Sequence, residues 1–451
     1  MNRPPSPPPP SVALSPTAAP TSNPWVMAEM LGIDGPFTFS ERLLQKIWMR
    51  GDFDRASMQS ADGRAVQVVH PGRWNLLAGP DFRDARLVIG GSEVQGDVEL
   101  HINADDWRLH GHADDPAYDG VVLHAVLFPP GDAFTRGAGG RLLPVVALLP
   151  LLRQDLEAYA TEEALETLVG RSVTELRTSL ENAPELAVPD SVLAQAGLRW
   201  RQKVHFARCR IERLGWEAAC HHAALEVLGY RMNRAPMLSV AAEFPLARWQ
   251  WRPGATMPTQ ERVADEAWES QRGRWRHRGV RPPNYPRLRL RQYARWMSAA
   301  PDWPARLQNM LPDLMRAASA ASQVMSAVNA GGYASVGEAR RRVRLKEVRV
   351  LLARTLGAEA LGPGSTRLDT FLCDAVFPLV AAMNGETAGD DGSALEWLWQ
   401  AWLPGDHPEE FAECIKELGL TNRGAPLCHG MIQGMLGWLL QRSPVFRTGD
   451  K

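Results

Sequence analysis

Lysine is almost missing from this chain. Five of its 451 residues are lysines, and none lies between Lys46 and Lys203. Any N-terminal site that needs an ammonium group must therefore reach for Lys46. Cysteine is scarce too: Cys209, Cys220, Cys373, Cys414 and Cys428 are odd in number, scattered, and show no C-x-x-C spacing. That pattern argues against a disulfide framework and against a thiolate zinc site, and fits a reducing compartment. No long apolar run is present. The longest, Leu142 to Leu152, is too short for a membrane span and carries Pro144 and Pro150. The N-terminus lacks a charged start followed by an apolar stretch, so no secretory signal is expected. These absences lead to the expectation of a cytoplasmic protein with no membrane partner. Charge of one sign is lacking as well: the net charge is −1, so there is no global basic field for nucleic acid. Local patches must carry any such contact.

What is present is the composition of a globular protein, 45% apolar and 22% charged, long enough for two or three domains. Residues 1–24 are rich in Pro, Ser, Thr and Ala, cannot bury a core, and are expected to form a disordered tail. Residues 25–145 read as a small α/β domain and residues 146–451 as a helical one. In the first, Ser40 is the expected N-cap of a helix whose stripe is Phe39, Leu43, Leu44, Ile47 and Trp48. Strands are expected at Ala65–His70 and Ala85–Ile89, the second closed by Gly90-Gly91, a hairpin signal. Val94–Asn103 is the clearest strand. Val94, Gly96, Val98, Leu100 and Ile102 alternate with Gln95, Asp97, Glu99, His101 and Asn103, so period two places Glu99 and His101 on one face. A short helical piece follows, then a strand from Val121 to Phe128. Beyond about residue 145, long stretches have helical periodicity and no fixed-length repeat.

Acids and histidines crowd into the strand-rich segment. Four of the eleven histidines (His101, His110, His112, His124) fall between Gly79 and Val126, among ten acids. The order helix, strand, strand, strand, short helix, strand resembles the core of the PD-(D/E)XK nuclease superfamily. Pro80-Asp81 opens the second strand and Glu99-Leu100-His101 lies on the third. The resemblance implies a small mixed sheet with flanking helices, restriction-endonuclease-like, followed by a larger all-helical region: an α+β chain. It implies a metal-dependent phosphodiesterase acting on DNA or RNA. Asp81 and Glu99 would hold Mg²⁺ or Mn²⁺, which prefer oxygen ligands, and Glu41 would assist. His101 stands where that motif has lysine, which touches catalysis more than fold and leaves open a non-catalytic binding or scaffolding protein.

A third alternative is a His/Asp metallohydrolase on a small substrate. Its zinc would be held by His110 and His112 with Asp115 or Asp119. The bland readings of the same residues are turn chemistry for Gly79-Pro80-Asp81, a solvated strand face for Glu99, and a hydrogen-bonded core histidine for His124. The stretches AGPDFRDARLVIGG, GDVELHINADDWRLHGHADDPAYDGVVLHAV, RPPNYPRLRLRQYA and PLCHGMIQGMLGWLL closely resemble a bacterial family catalogued as domain of unknown function 2851. That resemblance spans about residues 38–440 and implies that the two parts belong together, without implying an activity.

In the helical part, Arg272 to Arg295 interleaves cations with aromatics. Arg274, Trp275, Arg276, Arg278, Arg281, Tyr285 and Arg289 are the candidate nucleic-acid contacts, since arginine holds phosphates and aromatics stack on bases. The competing reading is an ordinary face of arginines paired with acids.

Overall fold

The computed structural model describes residues 41–153, 156–169, 188–250, 258–277, 280–327, 333–357, 366–385 and 393–442. The expected disordered tail, the Ser40 cap and Arg278 lie outside these residues. The architecture is α+β: a mixed seven-stranded sheet with helices, then a larger helical region. Among the described residues no helix is long and apolar enough to cross a membrane. All five cysteines are free.

The first helix, α1 (Glu41–Arg50), buries Leu43, Leu44, Ile47 and Trp48, the stripe expected from its spacing. They pack into the core that β1 (Val66–His70), β3 (Phe82–Ile89) and β4 (Ser92–His101) supply from Val66, Val68, Leu87, Val98 and Leu100. Trp48 stacks on Phe53, with centroids 5.7 Å apart, and its indole N–H donates to the Pro71 carbonyl at 3.0 Å. Burying each of these large apolar side chains stabilises the unit by roughly 1.5–3 kcal/mol. A two-residue strand, β2 (Arg73–Trp74), pairs with β3.

The sheet order is β1-β3-β4-β5-β7-β6, with β5 at Val121–Val126, β6 at Phe134–Arg136 and β7 at Leu142–Ala147. β1, β3 and β4 run antiparallel; β4–β5 and β5–β7 run parallel. The β3–β4 turn is Gly90-Gly91, both with positive φ (58° and 85°), as a two-residue hairpin requires. β6 and β7 were not anticipated from sequence. Pro144 sits in β7, in register with Phe134 of the neighbouring β6. β7 runs to Ala147, and an isolated bridge joins Leu152 to Phe53.

The parallel β4–β5 pair needs a crossover. It holds α2 (Asp106–Leu109) and a 3₁₀ turn, Pro116–Tyr118. Trp107 anchors it in a small apolar cluster with Val121 and Leu143. This crossover covers the polar face of β4. As a result Glu99 and His101 are 5% and 1% exposed, not solvated.

Three long helices follow: α3 (Leu156–Val169), α4 (Val188–Leu214) and α5 (Trp216–Glu243). Lys46 of α1 reaches α3, its ammonium 2.6 Å from Glu163, which is buried, and 3.3 Å from Glu166. α5 runs on past Gly229. It is broken at Tyr230, whose φ of 53° and ψ of −169° are sterically costly for a side chain, and at Asn233. The helical core is rich in tryptophan, with Trp200, Trp249, Trp296, Trp303, Trp399 and Trp402 all fully buried.

Candidate metal centre

The register of β3 on β4 decides whether Asp81 meets Glu99. Ala85 pairs with Gly96, and continuing that register would set Asp81 opposite Leu100, on the wrong face. Phe82 instead pairs with Val98, because Arg83 and Asp84 together oppose Asp97. This β-bulge shifts the register by one residue and brings Asp81 opposite Glu99. Asp84 adopts a left-handed φ of 59° in the bulge, and its N–H donates to Asp97 Oδ1 at 3.1 Å. The two acids then tie each other down. The Asp81 N–H donates to Glu99 Oε2 at 2.9 Å, and the Leu100 N–H donates to Asp81 Oδ2 at 3.0 Å. Gln45, one turn beyond Glu41, donates to Asp81 Oδ1 at 2.6 Å and accepts from the Trp74 indole.

The His110-Gly111-His112 spacing has its own structural reason. α2 ends in a Schellman motif: the His112 N–H bonds to the Trp107 carbonyl and the Gly111 N–H to the Arg108 carbonyl. Gly111 supplies the left-handed φ of 75° that this turn requires. The reversal turns both imidazoles back toward β4. His110 Nδ1 and His112 Nε2 each lie 3.2 Å from His101 Nε2. Glu99 Oε1 lies 3.4 Å from His112 Nε2 and 3.7 Å from His101 Nε2. Tyr118 stacks on His112 with centroids 3.8 Å apart.

Three histidine nitrogens thus gather at one place, with Glu99 Oε1 beside two of them. For tetrahedral zinc with bonds near 2.0–2.1 Å, neighbouring donors are about 3.3–3.4 Å apart. The two separations of 3.2 Å from His101 Nε2 lie close to that value, and the three histidine nitrogens all lie within 4.8 Å of one another. Among the described residues this is the one group of three or more such side chains that could hold an ion. His110 is exposed, so the site opens to solvent on that side.

Behind His101 runs a relay. His101 Nδ1 and His124 Nε2 are 2.9 Å apart, and His124 Nδ1 and Thr135 Oγ1 are 2.7 Å apart. With N–H donation running outward along this chain, His101 Nε2 is left as a bare lone pair facing the other three donors; this tautomer is assigned from the network. Thr135 also lines an open groove of about 690 Å³ with Asn103, Asp105, Trp107 and Arg108.

The electrostatics suit a cation. Burial and then the neighbouring histidines push His101 down to about 2, and burial then His112 pushes His124 down to about 3. Burial lowers His112 as well, against Asp115. All three rings are neutral at pH 7, the form that ligates metal. The carboxyls shift the other way. Burial and then Glu99 hold Asp81 well above the usual carboxylate range, and burial with Glu41 raises Glu99, each opposed by its backbone N–H. Burial raises Glu41, while His110, His112 and the Ile102 N–H oppose it. Burial and the same acids raise the Tyr118 hydroxyl.

The structure thus brings together Asp81, Glu99, His101 and Glu41 with His110 and His112. Asp115 is a cap, accepting from the Ala117 N–H at 2.9 Å. Asp119 is exposed and offers its backbone carbonyl to Arg141. Lys46 is engaged with Glu163 and Glu166. Sequence reasoning missed Gln45 and Thr135. Gln45 carried a signal, its i+4 position after Glu41; Thr135 carried none.

The arginine–aromatic stretch is largely absorbed by the fold. Trp275 is buried and stacks on Trp268; Arg289 is buried and donates to Asn284 and Gln292. Arg274 donates to Ser239 and Gln271, and the Arg276 backbone holds the Asn233 side chain. Arg281 and Tyr285 are exposed.

Residues 41–257 match a family model described as "Protein of unknown function (DUF2851)". The match spans the whole sheet and the helices to α5; the Arg281–Ala294 and C-terminal stretches lie beyond it. Neither the curated proteins nor the solved structures yield a match.

Proposed function

We propose that this chain is a metal-dependent phosphodiesterase whose ion, a transition metal such as Zn²⁺, is held by His101, His110, His112 and Glu99. The observation that carries the reading is the gathering of the three histidine nitrogens within 4.8 Å of one another, with Glu99 Oε1 at 3.4 and 3.7 Å from two of them. The donor chemistry favours a nitrogen-accepting ion over Mg²⁺. Both Asp81 oxygens already accept N–H bonds, as does Glu99 Oε2, so Glu99 Oε1 is the acid atom turned to the histidines. Such an ion, when bound, lowers the pKa of water and polarises a phosphate oxygen. Asp81 positions Glu99 through its backbone N–H. Glu41, beside His110 and His112, is placed to hold a proton from an attacking water. The groove lined by Trp107 and Thr135, at the far end of the His101–His124 relay, is of a size that takes a nucleotide.

A small-substrate metallohydrolase is the second reading. It is favoured by the packing of Trp275 and Arg289 into the helical core, which leaves fewer surface groups for a polynucleotide.

The test is metal content of the purified protein, followed by cleavage of DNA, RNA and bis(p-nitrophenyl) phosphate with Zn²⁺, Mn²⁺ or Mg²⁺. Wild type is run beside Glu99→Gln and His101→Ala, with folding checked. Zinc-supported cleavage lost in both folded variants supports the proposal. Cleavage of the small ester alone moves it to the second reading. Absence of cleavage on every substrate, or activity that survives both substitutions, overturns it.

A further inference from the structure

Helix α1 carries a cation that the centre described above does not use. Its basic residues are Arg42, Lys46 and Arg50. Lys46 is held by Glu163 and Glu166, and Arg50 by Glu166. Arg42 makes no ion pair and no hydrogen bond among the described residues. Its guanidinium lies over the Trp74 ring, 5.8 Å from the centroid. Its Nε is buried there, whereas its two terminal nitrogens are not and stand open to solvent.

The indole beneath Arg42 is fixed in place and tied to the centre. Trp74 stacks on Phe82, with centroids 6.3 Å apart, and its N–H donates to Gln45 Oε1 at 3.0 Å. Gln45 donates to Asp81 at 2.6 Å, the Asp81 N–H donates to Glu99 at 2.9 Å, and Glu99 Oε1 lies 3.4 Å from His112. On the helix itself, Glu41 acts on His110 and His112, and Arg42 follows it about 100° round the axis. This flank is open among the described residues. The loop after Trp74 is tied by the Asn75 side chain to the Ala78 and Pro80 carbonyls, and it holds Leu76 and Leu77 68% and 84% exposed.

We propose that Arg42 is a specificity-determining residue that holds a second phosphate of the substrate, beside the one at the ion. The inference rests on the phosphodiesterase reading above. Gln45, Asp81 and Glu99 lie along the chain of contacts from Arg42 to the histidines, so the guanidinium serves a phosphate other than the one being cleaved. A guanidinium pairs with phosphate through two parallel N–H bonds, and stacking on an indole leaves its in-plane donors free to do so. A partly buried cation without a partner gains from such an anion. Strands with a phosphate next to the scissile one are thereby favoured over a lone diester.

The test substrates are thymidylyl-thymidine and the same dinucleotide phosphorylated at its 5′ or its 3′ end, or their ribose counterparts if wild type cleaves only RNA. Zinc-loaded wild type is expected to cleave one phosphorylated form with a kcat/KM at least about tenfold above that of the bare dinucleotide, the size of one charge-assisted contact. In Arg42→Gln that ratio falls to about 1, and Arg42→Lys recovers part of it. A second readout needs no cleavage. With a methylphosphonate linkage in place of the diester, calorimetry is expected to show the same preference for the terminal phosphate in wild type and its loss in Arg42→Gln. Circular dichroism checks each fold. A wild type that prefers neither phosphorylated form overturns the proposal. So does an Arg42→Gln that slows every substrate by one factor and keeps the ratio, because Arg42 then only packs on Trp74. A wild type that cleaves no substrate at all refutes the phosphodiesterase reading itself, and this inference with it.

Discussion

Replacing Glu99 with glutamine separates a metal site from a merely buried acid pair, because the two accounts demand opposite signs. Glu99 is 5% exposed, adjoins Asp81, and has its pKa raised. If no ion binds, Glu99→Gln keeps the acceptor for the Asp81 N–H and removes a like charge, so stability holds or rises. If an ion binds, the variant loses its anionic ligand. A loss of about 100-fold in affinity is a modest expectation for one of four ligands. With Zn²⁺ supplied at about 100 times the wild-type dissociation constant, binding stabilises the native state by about 2.7 kcal/mol. In the variant the same concentration only equals the dissociation constant, and the gain falls to about 0.4 kcal/mol. The difference of about 2.3 kcal/mol corresponds to roughly 5–9 °C in the melting temperature of a unit of this size. Calorimetric scans of chelated and zinc-loaded protein, wild type and variant, read both signs. Equal zinc-induced shifts in the two proteins would refute the reasoning, as would a chelated variant that melts well below chelated wild type.

Two further outcomes follow from groups that never touch the ion. Thr135→Val removes the end of the relay that orients His101 while nearly conserving volume; zinc affinity, read by chelator competition, should fall about 10-fold with the fold intact, and an unchanged affinity would show that the relay is idle. Glu226 carries the acid sensitivity of the helical region: burial pushes its carboxyl up, but Arg210 and Arg234 outweigh burial and hold it at about 2. A depressed carboxyl contributes stability above its unfolded pKa, here 4.5, and loses it as pH falls toward 2. The stability gap between wild type and Glu226→Gln in urea should shrink from about 3 kcal/mol at neutral pH to roughly 1 kcal/mol near pH 3; a gap that does not change with pH would contradict the assignment.

The parts of the centre that were legible in the sequence are those set by short periods. Alternation along Val94–Asn103 put Glu99 and His101 on one face, and Gly90-Gly91 announced the hairpin that makes β3 and β4 neighbours. The stripe of α1 was legible for the same reason, and so was the order of elements up to β5, apart from the two-residue β2. What period cannot reveal is a slip of one residue. The bulge at Arg83-Asp84 looks like ordinary strand sequence, yet it alone turns Asp81 toward Glu99. Burial of the polar face was equally hidden, because the cover comes from the crossover after β4, anchored by Trp107. His110, His112 and His101 looked like two competing sites, one on a loop and one on a strand, until the Gly111 turn joined them. The arginine–aromatic stretch was ambiguous in the opposite sense. Its spacing suits both stacking on bases and packing on helices, and tertiary packing took Trp275 and Arg289 inward.

The histidine at position 101 now has a physical account. A lysine there would bring an ammonium to a position 1% exposed, with three donors and no acceptor, beside three imidazoles. It would repel a cation from the point the other donors face. An imidazole does two jobs at once: one nitrogen is steered by His124, and the other is left as a lone pair toward His110, His112 and Glu99. In the proposed centre, position 101 holds the ion itself. In that proposal Glu41 and Asp81, which an oxygen-only centre would use as ligands, are free for other work: Asp81 holds Glu99 through its N–H, and Glu41, raised by burial, is suited to carry a proton. The near absence of lysine from the N-terminal part then ceases to be a defect of the motif. The site is built from imidazoles, and the one available ammonium, Lys46, is spent on fastening α1 to α3.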